Sequence, residues 1–198
     1  MTASLPLVTL LLSAAAVANT SYEPAEGSFV LRHEAVVPAP PTAVWEAFST
    51  AGGWMEWAVP FACIDLRLGG RIETSYDPHA RPGDPANIQS RILAFLPGRM
   101  LAFQAMQAPP DFPHAELLAD LFSVVEITPH SDGQSRVAIS GVGYTDSPGH
   151  LELRAFFDQG NAWTLERLVE RFTRGPVDWS VLTPPAPEAA SDSAENLD

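Results

Sequence analysis

The sequence predicts one α+β domain over residues 28–173, a curved antiparallel sheet of about seven strands wrapped on a long C-terminal helix. Three observations predict it. A β-rich run, Ser28 to Val37, comes first, and six more β-rich segments follow between Ala62 and Tyr144. Those six are joined mostly by short turns, which implies an antiparallel meander rather than a parallel sheet. A long run of helical periodicity, Gly149 to Phe172, comes last and carries one broad apolar face.

The elements follow in order. Ser28 to Val37 alternates loosely, as a half-buried strand does. Pro38, Pro40 and Pro41 break it, and Thr42 can cap a short helix, Ala43 to Ser49, whose Val44, Ala47 and Phe48 share a face. Ala51-Gly52-Gly53 ends that helix, and Trp54 and Trp57 follow. Ala62 to Leu68 alternates Ile64, Leu66 and Leu68 against Cys63, Asp65 and Arg67. Gly69-Gly70 turns into Arg71 to Tyr76, with Ile72, Thr74 and Tyr76 on one side. Asp77 to Asn87 holds three prolines and one glycine and reads as a loop. Ile88 to Phe95 and Met100 to Met106 pair across the turn Leu96-Pro97-Gly98-Arg99. Gln107 to Asp120 is a longer connection with one helical turn at His114 to Leu118. Leu121 to Thr128 and Ser135 to Tyr144 form the last hairpin, turned at Ser131-Asp132-Gly133. On the final helix Leu153, Phe156, Phe157, Gly160, Thr164, Leu165, Leu168 and Phe172 fall on one face, and Arg174-Gly175-Pro176 stops it.

Composition bounds the function. The 198 residues carry a formal charge of −13, and every cation is Arg. That balance argues against nucleic acid, whose phosphates are met by clustered Lys and Arg, and against docking on anionic lipid. The absence of Lys excludes Schiff-base chemistry and a P-loop lysine. Cys63 is the lone cysteine, so no internal disulfide forms. It reads as a small strand hydrophobe rather than a nucleophile. Asp65 and Arg67 read as a surface ion pair of small energetic weight.

The ends differ from the middle. Residues 1–18 read as a signal peptide, with an uncharged run from Leu5 to Val17 and Ala16-Val17-Ala18 before a cleavage point. The other reading is a short buried or frayed N-terminal helix. The run is too short to span a bilayer comfortably. Residues 19–27 read as a linker. A cleaved product is periplasmic or secreted; without cleavage it is cytoplasmic. Residues 174–198 read as a disordered acidic, Pro-rich tail, although Trp179 and Val181-Leu182 could pack back on the domain.

Pro41-Thr42-Ala43-Val44-Trp45-Glu46-Ala47-Phe48, the pair Trp54 and Trp57, and Asp65-Leu66-Arg67-Leu68-Gly69-Gly70-Arg71 resemble the SRPBCC superfamily, also called START or Bet v 1-like. Within it the chain is most similar to the branch named for the activator of the heat-shock-protein-ninety ATPase. Gly160-Asn161-Ala162-Trp163-Thr164-Leu165-Glu166-Arg167-Leu168 fits that branch too. Its members often carry Gly-Trp where this chain has Gly160-Asn161. The resemblance covers residues 28–173 and implies the helix-grip fold. It also implies one of three functions: binding of hydrophobic ligands, polyketide cyclisation, or assistance to a partner protein. The matching motifs are packing and turn devices, so they carry over no catalytic residue.

No G-x-S-x-G, H-E-x-x-H, C-x-x-C or G-x-G-x-x-G is present, so no catalytic residue is assigned. His33, His79, His114, His130 and His150 lie at spacings unlike those of compact metal sites, and most read as loop residues, so no metal or cofactor is expected. The expected ligand is a small apolar or amphipathic molecule held between sheet and helix. Its expected wall is Ile72, Thr74, Tyr76, Leu101, Phe103, Val125, Phe157, Asn161 and Thr164, with His114 at a possible mouth. Phe103, Phe122, Phe156 and Trp163 are either pocket lining or ordinary core. Asn161 stands out as an amide on an apolar helix face. It either meets a ligand's polar group or bonds a neighbouring strand or buried water. An exported binding module is the leading expectation. The alternatives are a cyclase- or hydrolase-like enzyme using Tyr76, His114 and Asn161, and a protein-assisting module. The sequence identifies no protein partner.

Overall fold

A computed structural model describes residues 17–182. Two short strands, β1 (Ala18–Asn19) and β2 (Tyr22–Ala25), come first and both pair with β3 (Ser28–Val37). The stretch read as a linker therefore adds an edge to the sheet. Residues 1–16 of the expected signal and residues 183–198 of the expected tail lie outside the described residues.

The β3 alternation puts Leu31, His33, Ala35 and Val37 inward. Helix α1 (Pro41–Ser49) buries Val44, Ala47 and Phe48. It starts two residues earlier than the Thr42 cap implied, because Pro41 stands at the first helical turn, where its fixed φ suits a helix and its missing N–H costs nothing. Thr50 then caps a second short helix, α2 (Ala51–Met55), by accepting from the Gly53 N–H at 2.9 Å. A Cβ at Gly53 would collide with the Glu46 carbonyl, so only glycine lets α2 fold back on α1. The indoles of Trp54 and Trp57 donate to the carbonyls of Phe48 and Ala47 at 2.7 and 3.2 Å. Phe48 meets the Trp57 ring edge-on at 5.2 Å. These tryptophans are structural.

Strand β4 (Phe61–Ile64) is shorter than expected, because the chain bends at Asp65, where the Arg67 N–H reaches the Asp65 carbonyl at 2.8 Å. Strands β5 (Arg71–Ser75), β6 (Ile88–Leu96), β7 (Met100–Gln107), β8 (Phe122–Pro129) and β9 (Ser135–Thr145) continue the meander. The nine-stranded sheet runs β1-β3-β9-β8-β7-β6-β5-β4, with every pairing antiparallel and β2 also on β3. A 3₁₀ turn, Ala115–Asp120, replaces the expected helical turn between β7 and β8.

Helix α3 (Pro148–Arg174) packs on the sheet and ends at Gly175, whose φ of +101 lies in the region that favours glycine. Beyond it, the Val177 N–H donates to the Glu56 carbonyl at 2.8 Å, and Trp179, in the single turn α4 (Trp179–Leu182), donates to the Met55 carbonyl. Those contacts dock the start of the tail on α2. The segment through Trp179 is thus held rather than free.

Candidate functional site

The interface between sheet and helix is packed at two ends by two separate apolar clusters. The larger joins α1, Trp57, Ile72, Leu101, Val125, Ile127, Val137 and Ile139 to Leu165, Leu168 and Val169 of α3. The smaller joins Leu31, Leu121, Tyr144 and Leu153, with Phe29, Phe112, Leu117 and Phe157 against it. Between Leu153 and Leu165 no residue of α3 is buried.

The same break appears on each facing strand. On β3, Leu31 belongs to the smaller cluster and Ala35 to the larger, and His33 lies between them. On β8, Ser123 shares the inward phase of Val125 and Ile127 and precedes them. Ser123 pairs with Phe103 of β7 on one side and with Gly141 of β9 on the other. The seam between the clusters thus carries short or polar side chains on the sheet and Asp158, Asn161 and Thr164 on the helix.

His33 is 3% exposed. Its Nε2 lies 3.2 Å from Asp158 Oδ1, which also accepts from Asn19 Nδ2 at 2.8 Å. The carboxylate assigns the ring proton to Nε2, which leaves Nδ1 a bare acceptor. Nδ1 is buried and has no partner among the described residues. Loss of hydration pushes the His33 pKa below its ordinary value, against the opposite pull of Asp158, so the ring is neutral at pH 7.

The expected wall divides. Phe103, Phe157, Asn161 and Thr164 are half-buried along the seam. Asn161 has no side-chain hydrogen bond among the described residues, so it does not bond a neighbouring strand. Thr164 spends its hydroxyl on the Gly160 carbonyl at 2.7 Å. Ile72, Leu101 and Val125 are buried within the larger cluster, and Thr74 is buried on the same face of β5 as Ile72. Tyr76 departs from expectation. β5 ends at Ser75, and Tyr76, beyond the last paired residue, is 62% exposed.

His114 lies at one end of α3, its Nε2 2.7 Å from Glu152 Oε2. Nearby, Phe112 meets Phe156 edge-on at 5.4 Å, so the connection from β7 to β8 rests on the helix. Phe156 and Trp163, offered as pocket lining, are 52% and 45% exposed. Cys63 is half-buried in β4, and Arg67 Nε meets Asp65 Oδ2 at 2.6 Å on the surface.

Elsewhere, a depression of about 280 Å³ opens between α1, α2 and the end of α3. Its rim holds Glu46, Glu56 and Arg171, and the Arg171 guanidinium grips the Glu56 carboxylate through Nε and Nη2. It is polar and opens to solvent.

Sequence reasoning missed His33, Asp158 and Ser123 as site residues. One signal was available for His33, an imidazole on the apolar phase of an alternating strand.

The family described as polyketide cyclase / dehydrase and lipid transport matches residues 28–175. The chain belongs to this family, within the SRPBCC superfamily. Its fold is the family's ligand-binding fold. The protein MLL2253 from Mesorhizobium loti is 18% identical, with a TM-score of 0.59 over 75% of this chain and 99% of that one. CalU16 from Micromonospora echinospora is 20% identical, with a TM-score of 0.58 over 92% and 86%. Aha1 from Colwellia psychrerythraea, solved as a dimer, is 14% identical, with a TM-score of 0.57 over 74% and 97%. At these identities the likeness carries the fold alone. No curated protein matches the chain. Among the described residues no helix is long and apolar enough to cross a membrane.

Proposed function

We propose that this family member binds a small apolar or amphipathic molecule in the seam between sheet and helix, and does no chemistry on it. The observation that carries the reading is the middle of α3. It faces the sheet without a buried residue between Leu153 and Leu165, while both ends pack tightly. A helix that grips at two ends leaves its centre available to a guest. The side chains there suit an amphipathic one: the rings of Phe103 and Phe157 supply apolar area, and the amide of Asn161, without a hydrogen-bond partner among the described residues, supplies a donor and an acceptor. Native mass spectrometry of protein purified from its own host tests this. A retained small molecule, lost on denaturation, is expected. A bare polypeptide mass across several preparations overturns the reading.

A second reading, an enzyme of the cyclase or hydrolase kind, is favoured by the buried His33 paired with the half-exposed Asp158, a neutral base backed by a carboxylate. Recovery of a chemically altered form of the retained molecule after incubation would favour it over binding.

Export belongs to the same proposal. Cleavage after Ala18 would remove Val17, which packs on the larger cluster, and would leave Asn19 and its bond to Asp158 at the new terminus. N-terminal sequencing of protein recovered from the host should read from Asn19. An intact Met1 on that protein overturns export.

A further inference from the structure

A buried ring nitrogen without a partner is costly, because it has given up water and received nothing in return. Among the described residues His33 Nδ1 is such an atom. The other nitrogen is committed to Asp158 at 3.2 Å, and Asp158 is itself held by Asn19. The ring is thereby fixed in one tautomer, with a lone pair aimed away from the carboxylate.

The surroundings narrow what can meet that lone pair. On β3 the ring is flanked inward by Leu31 and Ala35, and its cross-strand neighbour on β9 is Ile139. The charged Arg32 and Glu34 beside it in sequence take the opposite phase of the strand and bond each other at 2.8 Å. Asp158 is then the charged group that faces it. A cation offered to Nδ1 would give up its hydration at a buried nitrogen, on the side of the ring away from Asp158. A carbonyl or ether oxygen would present a lone pair to a lone pair. A neutral O–H donor on an apolar frame satisfies the nitrogen and leaves the rings of the seam to cover the frame.

We infer that His33 Nδ1 is the polar anchor of the ligand site and selects hydroxylated apolar ligands over the corresponding ethers and hydrocarbons. The ligand hydroxyl donates to Nδ1, Nε2–H donates to Asp158, and Asn161 is placed to meet a second polar atom of the same molecule. This rests on the seam being the binding site.

The test uses the full chain and two probes of one shape, 2-naphthol and 2-methoxynaphthalene. The hydroxylated probe should bind roughly tenfold tighter or more, the discrimination expected of one buried hydrogen bond. His33→Phe should bring the two affinities together. Equal affinities in the unaltered protein, or a preference that survives in His33→Phe, overturn the anchor while leaving the seam reading in place. Binding of neither probe overturns both. Should His33→Phe not fold, ¹⁵N spectra of the histidine-labelled parent decide. The Nδ1 resonance should move with 2-naphthol and stay with 2-methoxynaphthalene. A resonance that ignores 2-naphthol overturns the anchor, and Nδ1 is then held by water.

Discussion

The two halves of α3 lie on the same sheet yet do different work. From Leu165 onward, Leu165, Leu168 and Val169 sink into a cluster that also holds Trp57, Phe48 and aliphatic side chains from seven strands, β3 to β9. From Arg154 to Thr164 the helix sets Asp158 against His33, and its own residues stay half-buried or exposed. The C-terminal part is a stability element, where apolar area is removed from water and truncating a buried side chain leaves a hole. The stretch from Arg154 to Thr164 gives up that stabilisation over about three turns. A stretch of that length without a buried side chain is where the proposed ligand would lie.

Substitutions sharpen the contrast. Leu168→Ala should cost about 2–5 kcal/mol in denaturant melts, since its side chain is fully buried and the cavity cannot collapse among rigid rings. A loss under about 1 kcal/mol would mean the packed end is less dense than described. Asn161→Leu should leave apo stability unchanged or raised, and weaken ligand binding by about 1–3 kcal/mol. A large stability loss with unchanged affinity would remove Asn161 from the site.

Phe157→Ala should cost about 1–2 kcal/mol, below the 3–5 of a buried ring, because Phe157 packs against the smaller cluster only in part. A full core-sized loss would erase the distinction between the two halves.

A smaller effect is expected with pH. His33 has its folded pKa below the ordinary 6.5 through burial. The unfolded chain therefore binds the proton more readily. Stability is complete above about pH 6.5 and declines as the pH falls from there toward the depressed folded value. His33→Phe should flatten that part of the profile; an identical slope in parent and variant would assign the acid sensitivity to other groups. Last, Asp65→Ala breaks an exposed pair and should shift stability by no more than about 0.5 kcal/mol.

Much of the fold was legible in the chain. Alternation marked β3 and the meander, because a strand with one wet face must repeat every two residues, and Arg174-Gly175 marked the end of α3. Tryptophan spacing marked the α1–α2 packing, since those indoles bond carbonyls only six and ten residues away. The candidate site was half legible. Phe103, Phe157, Asn161 and Thr164 could be read from periodicity, because their facing depends on their own element alone. Tyr76 could not, since whether a strand continues past Ser75 depends on a partner strand being there to pair with it.

What the sequence determined by itself, then, is what local sterics and hydrophobic period determine: strands, helices, turns, and which side of each is apolar. Only the tertiary structure decided that the core has two centres with a seam between them. It alone brought His33 and Asp158 together from opposite ends of the chain, 125 residues apart. The choice of partner for a buried imidazole is made by whichever group the packing of sheet on helix delivers, and that delivery is a property of the whole assembly, with no trace in the neighbours of either residue.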